Sequence, residues 1–199
     1  MKKLIIITGM SGSGKTTLAK YIQNKIENVT LITVDTIFEA ICDTIGFQNR
    51  KGKKRNCTIA KNCVKNMIEE CMKRKDEIIM VDYPFEASWE YFFHKVSSKY
   101  EYDVLTVKLY AENFEKQWER TSTRDLSNQR HVMHESPSYN PKDKEKLTRN
   151  LQSKEELKQI YESGSRTKIL VGKELKIMNK NEESIKEAFA KIEKWLKSR

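Results

Sequence analysis

Gly9-Met10-Ser11-Gly12-Ser13-Gly14-Lys15-Thr16 follows, after Thr8, on the apolar run Leu4-Ile5-Ile6-Ile7. A short buried strand feeding a loop with glycines at both ends, closed by Lys-Thr, is a cradle for the phosphates of a nucleotide. The glycines let main-chain N–H groups turn inward without a Cβ in the way. Lys15 brings a point charge for the β- and γ-phosphates, and Thr16 a hydroxyl for Mg²⁺. From Thr17 to Ile26, Leu18, Ile22 and Ile26 recur at helical spacing, so the loop opens a helix, whose N-terminus favours anions. The expected nucleotide-binding residues are Gly9, Ser11, Gly12, Ser13, Gly14, Lys15, Thr16 and Thr17.

A chain of 199 residues is expected to form one domain with a substantial core. Its 38 Lys and Arg against 28 Asp and Glu leave a charge of +10, which favours acidic partners such as nucleotides, phosphorylated metabolites or nucleic acid. A lysine-rich surface accounts for part of that excess as well. Cysteines at 42, 57, 63 and 71 include no Cys-x-x-Cys and lie near no histidine at zinc spacing, so reduced, packed thiols are expected. Met1-Lys2-Lys3 mimics the start of a signal peptide, but its apolar stretch is too short and breaks into the phosphate loop. No run approaches transmembrane length, and a cytoplasmic location is expected.

Working outward, strand-like and helix-like segments alternate. Val29 to Val34 reads as a strand ending at Asp35, followed by a helix with Ile37, Phe38, Ile41 and Ile45 on one side and Gly46 as its stop. Gln48 to Arg55 reads as a basic loop, and Asn56 to Lys73 as a helix burying Ile59, Cys63, Met67, Ile68 and Cys71. A second buried strand, Ile78 to Val81, ends at Asp82. Further helices are expected over Glu86 to Tyr100, from Phe114 and Trp118 onward, and over Lys144 to Tyr161. Strands are expected at Val104 to Leu109 and Leu175 to Met178, and a last helix carries Ile185, Ala188, Ile192 and Trp195 on one stripe. From Ser122 to Asp143 the apolar period lapses. Such alternation implies a parallel sheet covered on both faces, with ligands beyond the carboxyl ends of its strands.

Asp35 and Asp82, each after a strand, should therefore face the same crevice as Lys15. One carboxylate can hold Mg²⁺ with Thr16, and Asp82, after four apolar residues, suits that role. The other can take the proton of an attacking hydroxyl, and Asp35 suits that role, although an aspartate there would also cap a helix. Arg120 and Arg124 share a helical face, where like charges repel mildly unless an anion compensates them. They begin a basic lid over about residues 120–143, fit to close on a nucleotide and exclude water. His131 and His134 read as surface residues in preference to substrate contacts. Five cations in six residues, Arg50 to Arg55, allow nucleic-acid binding, but a solvated loop is the preferred reading. Asn179-Lys180-Asn181-Glu182 partly matches the guanine-reading Asn-Lys-x-Asp of GTPases, with glutamate in place of aspartate.

With the loop GMSGSGKTT, the strand-end aspartates and the basic lid, the chain resembles the small P-loop kinases, such as the shikimate, gluconate and nucleoside monophosphate kinases. Within that group it is most similar to the chloramphenicol phosphotransferase and zeta-toxin type. The resemblance implies a three-layer α/β fold with a five-stranded parallel sheet in order 2-3-1-4-5. It also implies ATP and Mg²⁺ as ligands, Asp35 as general base, and Arg120 and Arg124 as contacts to the ATP phosphates. The expected activity is transfer of the γ-phosphate of ATP to a hydroxyl of a small molecule. The rivals are a nucleoside or nucleotide kinase stacking its acceptor on Phe38, Tyr83 and Phe85 with Gln48, an RNA-directed kinase, and a nucleotide-dependent switch without acceptor chemistry.

Overall fold

The computed structural model describes residues 2–126, 130–143 and 151–198, with the Leu126 side chain left aside. Five strands form one parallel sheet in order β2-β3-β1-β4-β5. They are β1 (Lys3–Gly9), β2 (Val29–Thr33), β3 (Ile78–Asp82), β4 (Asp103–Ala111) and β5 (Lys173–Asn179). The helices are α1 (Lys15–Lys25), α2 (Val34–Ile45), α3 (Arg50–Lys73), α4 (Glu90–Tyr100), α5 (Phe114–Leu126), α6 (Lys154–Ser163) and α7 (Glu182–Leu196). This is the doubly covered α/β architecture and strand order that the alternating pattern and the resemblance implied.

The pleat sorts each strand between two cores. Leu4, Ile6, Ile79 and Val81 face Val64, Ile68 and Met72 of α3 and Phe93 of α4. Ile5, Ile7 and Met80 face Leu18 and Ile22 of α1 and Ile185 and Ile192 of α7. Register aligns Ile7 and Thr33 with Asp82, so β1, β2 and β3 end level and deliver the phosphate loop and both aspartates to one edge.

Several local expectations are corrected. β2 ends at Thr33 and α2 begins at Val34, so Asp35 lies in the first helical turn; it is not the N-cap. Residues 50–55 are not a loop: the Asn49 side chain accepts the Gly52 N–H and starts α3 there. The buried stripe of α3 is Asn56, Ala60, Val64, Ile68 and Met72; Ile68 is buried as expected, but the rest of the stripe lies one position on, leaving Ile59, Cys63 and Met67 exposed. Asn56 can be interior because its amide donates to the Gly46 carbonyl at 2.8 Å. Ile45 is 51% exposed.

The lapse after Ser122 has a physical cause. α5 runs on to Leu126, but its buried positions Gln117, Thr121 and Asp125 are polar, because that face packs on the phosphate loop rather than on an apolar core. Of the helix expected over 144–161, residues 144–150 lie outside those described, as do 127–129 of the lid. A third core joins Phe38 and Cys42 of α2, Phe47, Ala60 of α3, and Met133 and Tyr139 of the lid segment. Phe47 and Tyr139 exchange two main-chain hydrogen bonds across this junction.

Candidate active site

Residues 9–16 wrap around the entrance to α1. Gly12 has φ +74, and a Cβ there would lie 2.7 Å from Thr121 Oγ1 and 3.2 Å from the Gln117 carbonyl. Gly14 has φ +95, and a Cβ there would lie 2.2 Å from Asn179 Nδ2. Both positions need glycine for conformation and for space. Asn179 donates to the Ser13 carbonyl at 2.9 Å, so the end of β5 braces the loop. The Asn179 amide is thereby committed to the loop, and the GTPase-like reading of Asn179 to Glu182 has no support from its geometry.

Lys15 is buried and donates to the Met10 carbonyl at 2.9 Å. Burial lowers its pKa, opposed by the charges of Asp82 and Asp35. Thr16 Oγ1 donates to Asp82 Oδ2 at 2.8 Å. Burial raises the Asp82 pKa, opposed by Lys15 and the Thr16 hydroxyl. Desolvation thus works against both charges, and a phosphate beside Lys15 and a cation beside Asp82 would each restore them. The fully buried Ser13 hydroxyl makes no hydrogen bond among the described residues. A cradle that admits no Cβ, an orphaned hydroxyl inside it and a paired Thr–Asp set together fit a Mg²⁺-bound triphosphate. Thr17 stands on the exposed first turn of α1.

Asp35 lines a cavity of about 540 Å³ shared with Thr16, Lys20, Arg124, Arg130 and His134. Among the described residues no side chain or main-chain group donates a hydrogen bond to its carboxylate. Arg124 donates to the Ser11 hydroxyl at 2.7 Å and to Asp125 at 3.1 Å, and Arg130 reaches the same Asp125 oxygen at 2.9 Å. Burial, then the neighbouring Arg130 charge, lowers the Arg124 pKa. The structure therefore brings together Lys15, Thr16, Asp82, Asp35 and Arg124. It does not bring Arg120 with them: that guanidinium donates to the Asn179 and Lys180 carbonyls, both at 3.0 Å.

Arg130, Asp125 and Asn179 also lie at this site. Arg130 carried a sequence signal as part of the basic lid, Asn179 only through its partial match to a guanine-reading motif, and Asp125 none. His131 and His134 are not free surface residues. They meet Asp43 at 3.1 Å and Glu39 at 2.8 Å, fastening the lid segment to α2. The four residues considered for a nucleoside acceptor, three aromatic rings and the Gln48 amide, do not converge. Phe85 is enclosed by Tyr83, Trp89 and Phe93, Phe38 lies under His134, and Gln48 lines other cavities.

Comparison with known proteins agrees with the fold. A family profile described as AAA domain matches residues 4–155. A crystal structure of a candidate kinase from Chloroflexus aurantiacus superposes with a TM-score of 0.78 at 18% identity, covering 97% of both chains. Kti12 of Chaetomium thermophilum, solved in complex with ADP-AlF3, gives 0.57 at 14% identity over 98% of this chain and 100% of its own. Shikimate kinase from Bacteroides thetaiotaomicron gives 0.54 at 15% identity over 98% and 99%. No curated protein matches by sequence. Among the described residues no helix is long and apolar enough to cross a membrane.

Proposed function

The chain belongs to the AAA domain family, and from that premise we propose that it is an ATP-dependent kinase transferring the γ-phosphate to a hydroxyl of a small-molecule acceptor. Within the P-loop kinases we place it with the chloramphenicol phosphotransferase and zeta-toxin type. One observation carries the reading. A carboxylate free of hydrogen bonds from described residues, Asp35, shares a cavity with Thr16 of the phosphate loop and with two lid arginines.

The loop N–H groups and Lys15 hold the triphosphate. Thr16 and Asp82 would hold Mg²⁺, which when bound neutralises charge on the β- and γ-phosphates. Asp35 takes the proton of the acceptor hydroxyl as its oxygen bonds to the γ-phosphorus and the bond to the β-phosphate oxygen breaks. Arg124 and Arg130 balance charge on the phosphoryl group in flight. Arg120, through the Asn179 and Lys180 carbonyls, keeps α5 seated beside the loop. The lid segment shields the cavity from water.

Asp35→Asn is the direct test. Calorimetry should find ATP affinity unchanged, while transfer of γ-labelled phosphate to the acceptor falls by about 100-fold or more, as for loss of a general base. Full transfer in that variant would remove Asp35 from the mechanism. The acceptor itself is to be found by screening metabolites, nucleosides and RNA for label transfer. A protein that turns over ATP and labels nothing in such a panel would instead be the switch.

A further inference from the structure

Helix α3 begins with Arg50, Lys51, Lys53, Lys54 and Arg55 and continues with Lys61 and Lys65, while no Asp or Glu occurs between Asp43 and Glu69. Among the described residues, Arg50, Lys51, Lys54, Arg55, Lys61 and Lys65 make no ion pair. Lys53 alone is turned inward, donating to the His134 carbonyl at 2.6 Å. The helix is locally worse for this arrangement. Arg50 and Lys54, Lys51 and Arg55, and Lys61 and Lys65 are like charges four apart, which repel. Five of the seven cations crowd the positive end of the helix dipole. A charge pattern that opposes its own helix is compensated when an anion lies along it.

The surroundings narrow the anion. Lys61 and Lys65 are held on one flank over the rings of Tyr83 at 5.7 Å and Trp89 at 4.9 Å, and Tyr83 follows Asp82 in the chain. Lys51 and Arg55 line an open cleft of about 1060 Å³, and Arg50 one of about 770 Å³. Amides of Gln48 and Asn49 line both clefts and can bond base edges. From Arg50 to Lys65 the row is about 22 Å long at the helical rise. A flexible strand can follow such a row and enter the clefts; a flat membrane cannot enter them.

We propose that the cationic face of α3 is a docking surface for the phosphate backbone of a single-stranded polynucleotide. It is a binding surface separate from the phosphate loop, whichever hydroxyl the kinase site phosphorylates. Clustered Lys and Arg beside a groove, with selectivity left to amides, is the physics of single-strand binding.

Anisotropy of a labelled uridine dodecamer with the full chain, without ATP, at 50 to 300 mM NaCl tests it. Six contacts predict a log–log salt slope of about −4 for a single strand. Combined R50Q, K51Q, K54Q and R55Q should bring that slope to about −1.4, the share of the two remaining lysines. The K61Q and K65Q pair should reduce it by the same 1.4, about 0.7 per lysine. Glutamine keeps helix propensity and removes repulsion, so the thermal midpoint should hold or rise in both variants. A slope unaffected by these changes overturns the proposal, as does equal binding of poly-glutamate or phosphatidylserine vesicles with the same salt dependence. The assay uses neither ATP nor transfer, so its failure leaves the kinase reading standing, and an inactive kinase site leaves this one standing.

Discussion

Single atoms decide the phosphate loop. At Gly12 and Gly14 a methyl group would meet Thr121, the Gln117 carbonyl and the Asn179 amide, and positive φ adds strain. Gly12→Ala should therefore cost about 1–3 kcal/mol and abolish measurable ATP binding, read by urea denaturation and calorimetry. Asn179 bonds the loop itself, at the Ser13 carbonyl. Asn179→Ala leaves the buried Ser13 carbonyl without its donor, an expected cost of about 1–3 kcal/mol. Asn179→Asp keeps the shape and loses the donor, so it should weaken ATP affinity as Ala does. An Asp variant with wild-type affinity would show that the amide hydrogen bond is dispensable.

Between elements, the lid segment is docked more firmly than its composition suggested. Met133 and Tyr139 are buried in the third core, Tyr139 bonds Asp43, and both histidines meet carboxylates of α2. Met133→Ala should cost about 2–5 kcal/mol of that docking and expose the segment to proteolysis. Lys53 gives the junction a pH signature. Burial, aided by the Arg130 charge, holds its pKa down to about 8, below its unfolded value near 10.4. The unfolded chain binds the proton more readily, so the Lys53 contribution to stability rises with pH between about 8 and 10.4. The denaturation midpoint of wild type should gain on that of Lys53→Met as pH climbs through that window. A constant difference would place Lys53 in water.

On the scale of the whole molecule, the site joins the ends of β1, β3 and β5 and the start of α2 to α5 and the lid. Nucleotide binding is thus coupled to global stability. Mg²⁺ and ATP at 100 times the dissociation constant should add about 2.7 kcal/mol, a rise in Tm of about 5–10 °C. Thr16→Ala and Asp82→Asn should each remove the part of that rise that depends on Mg²⁺, with the rise for ATP alone retained.

The sequence by itself determined the parallel sheet and the phosphate loop, because these follow from local pattern: apolar runs of strand length, glycines at fixed spacing and one convincing terminal stripe. The strand order came from the family resemblance those residues carry. It also marked both aspartates, since position after a strand places a residue at a known edge. Only the tertiary structure decided what depends on packing between distant segments. The buried face of α3 shifted by one residue because Asn56 finds the Gly46 carbonyl inside. α5 concealed its helical pattern because its partner is a polar loop, and Arg120 and Arg124, one turn apart, parted company because one met main-chain carbonyls and the other Ser11 and Asp125. A polar side chain's role is set by which partner lies within about 3 Å, and no local pattern carries that distance.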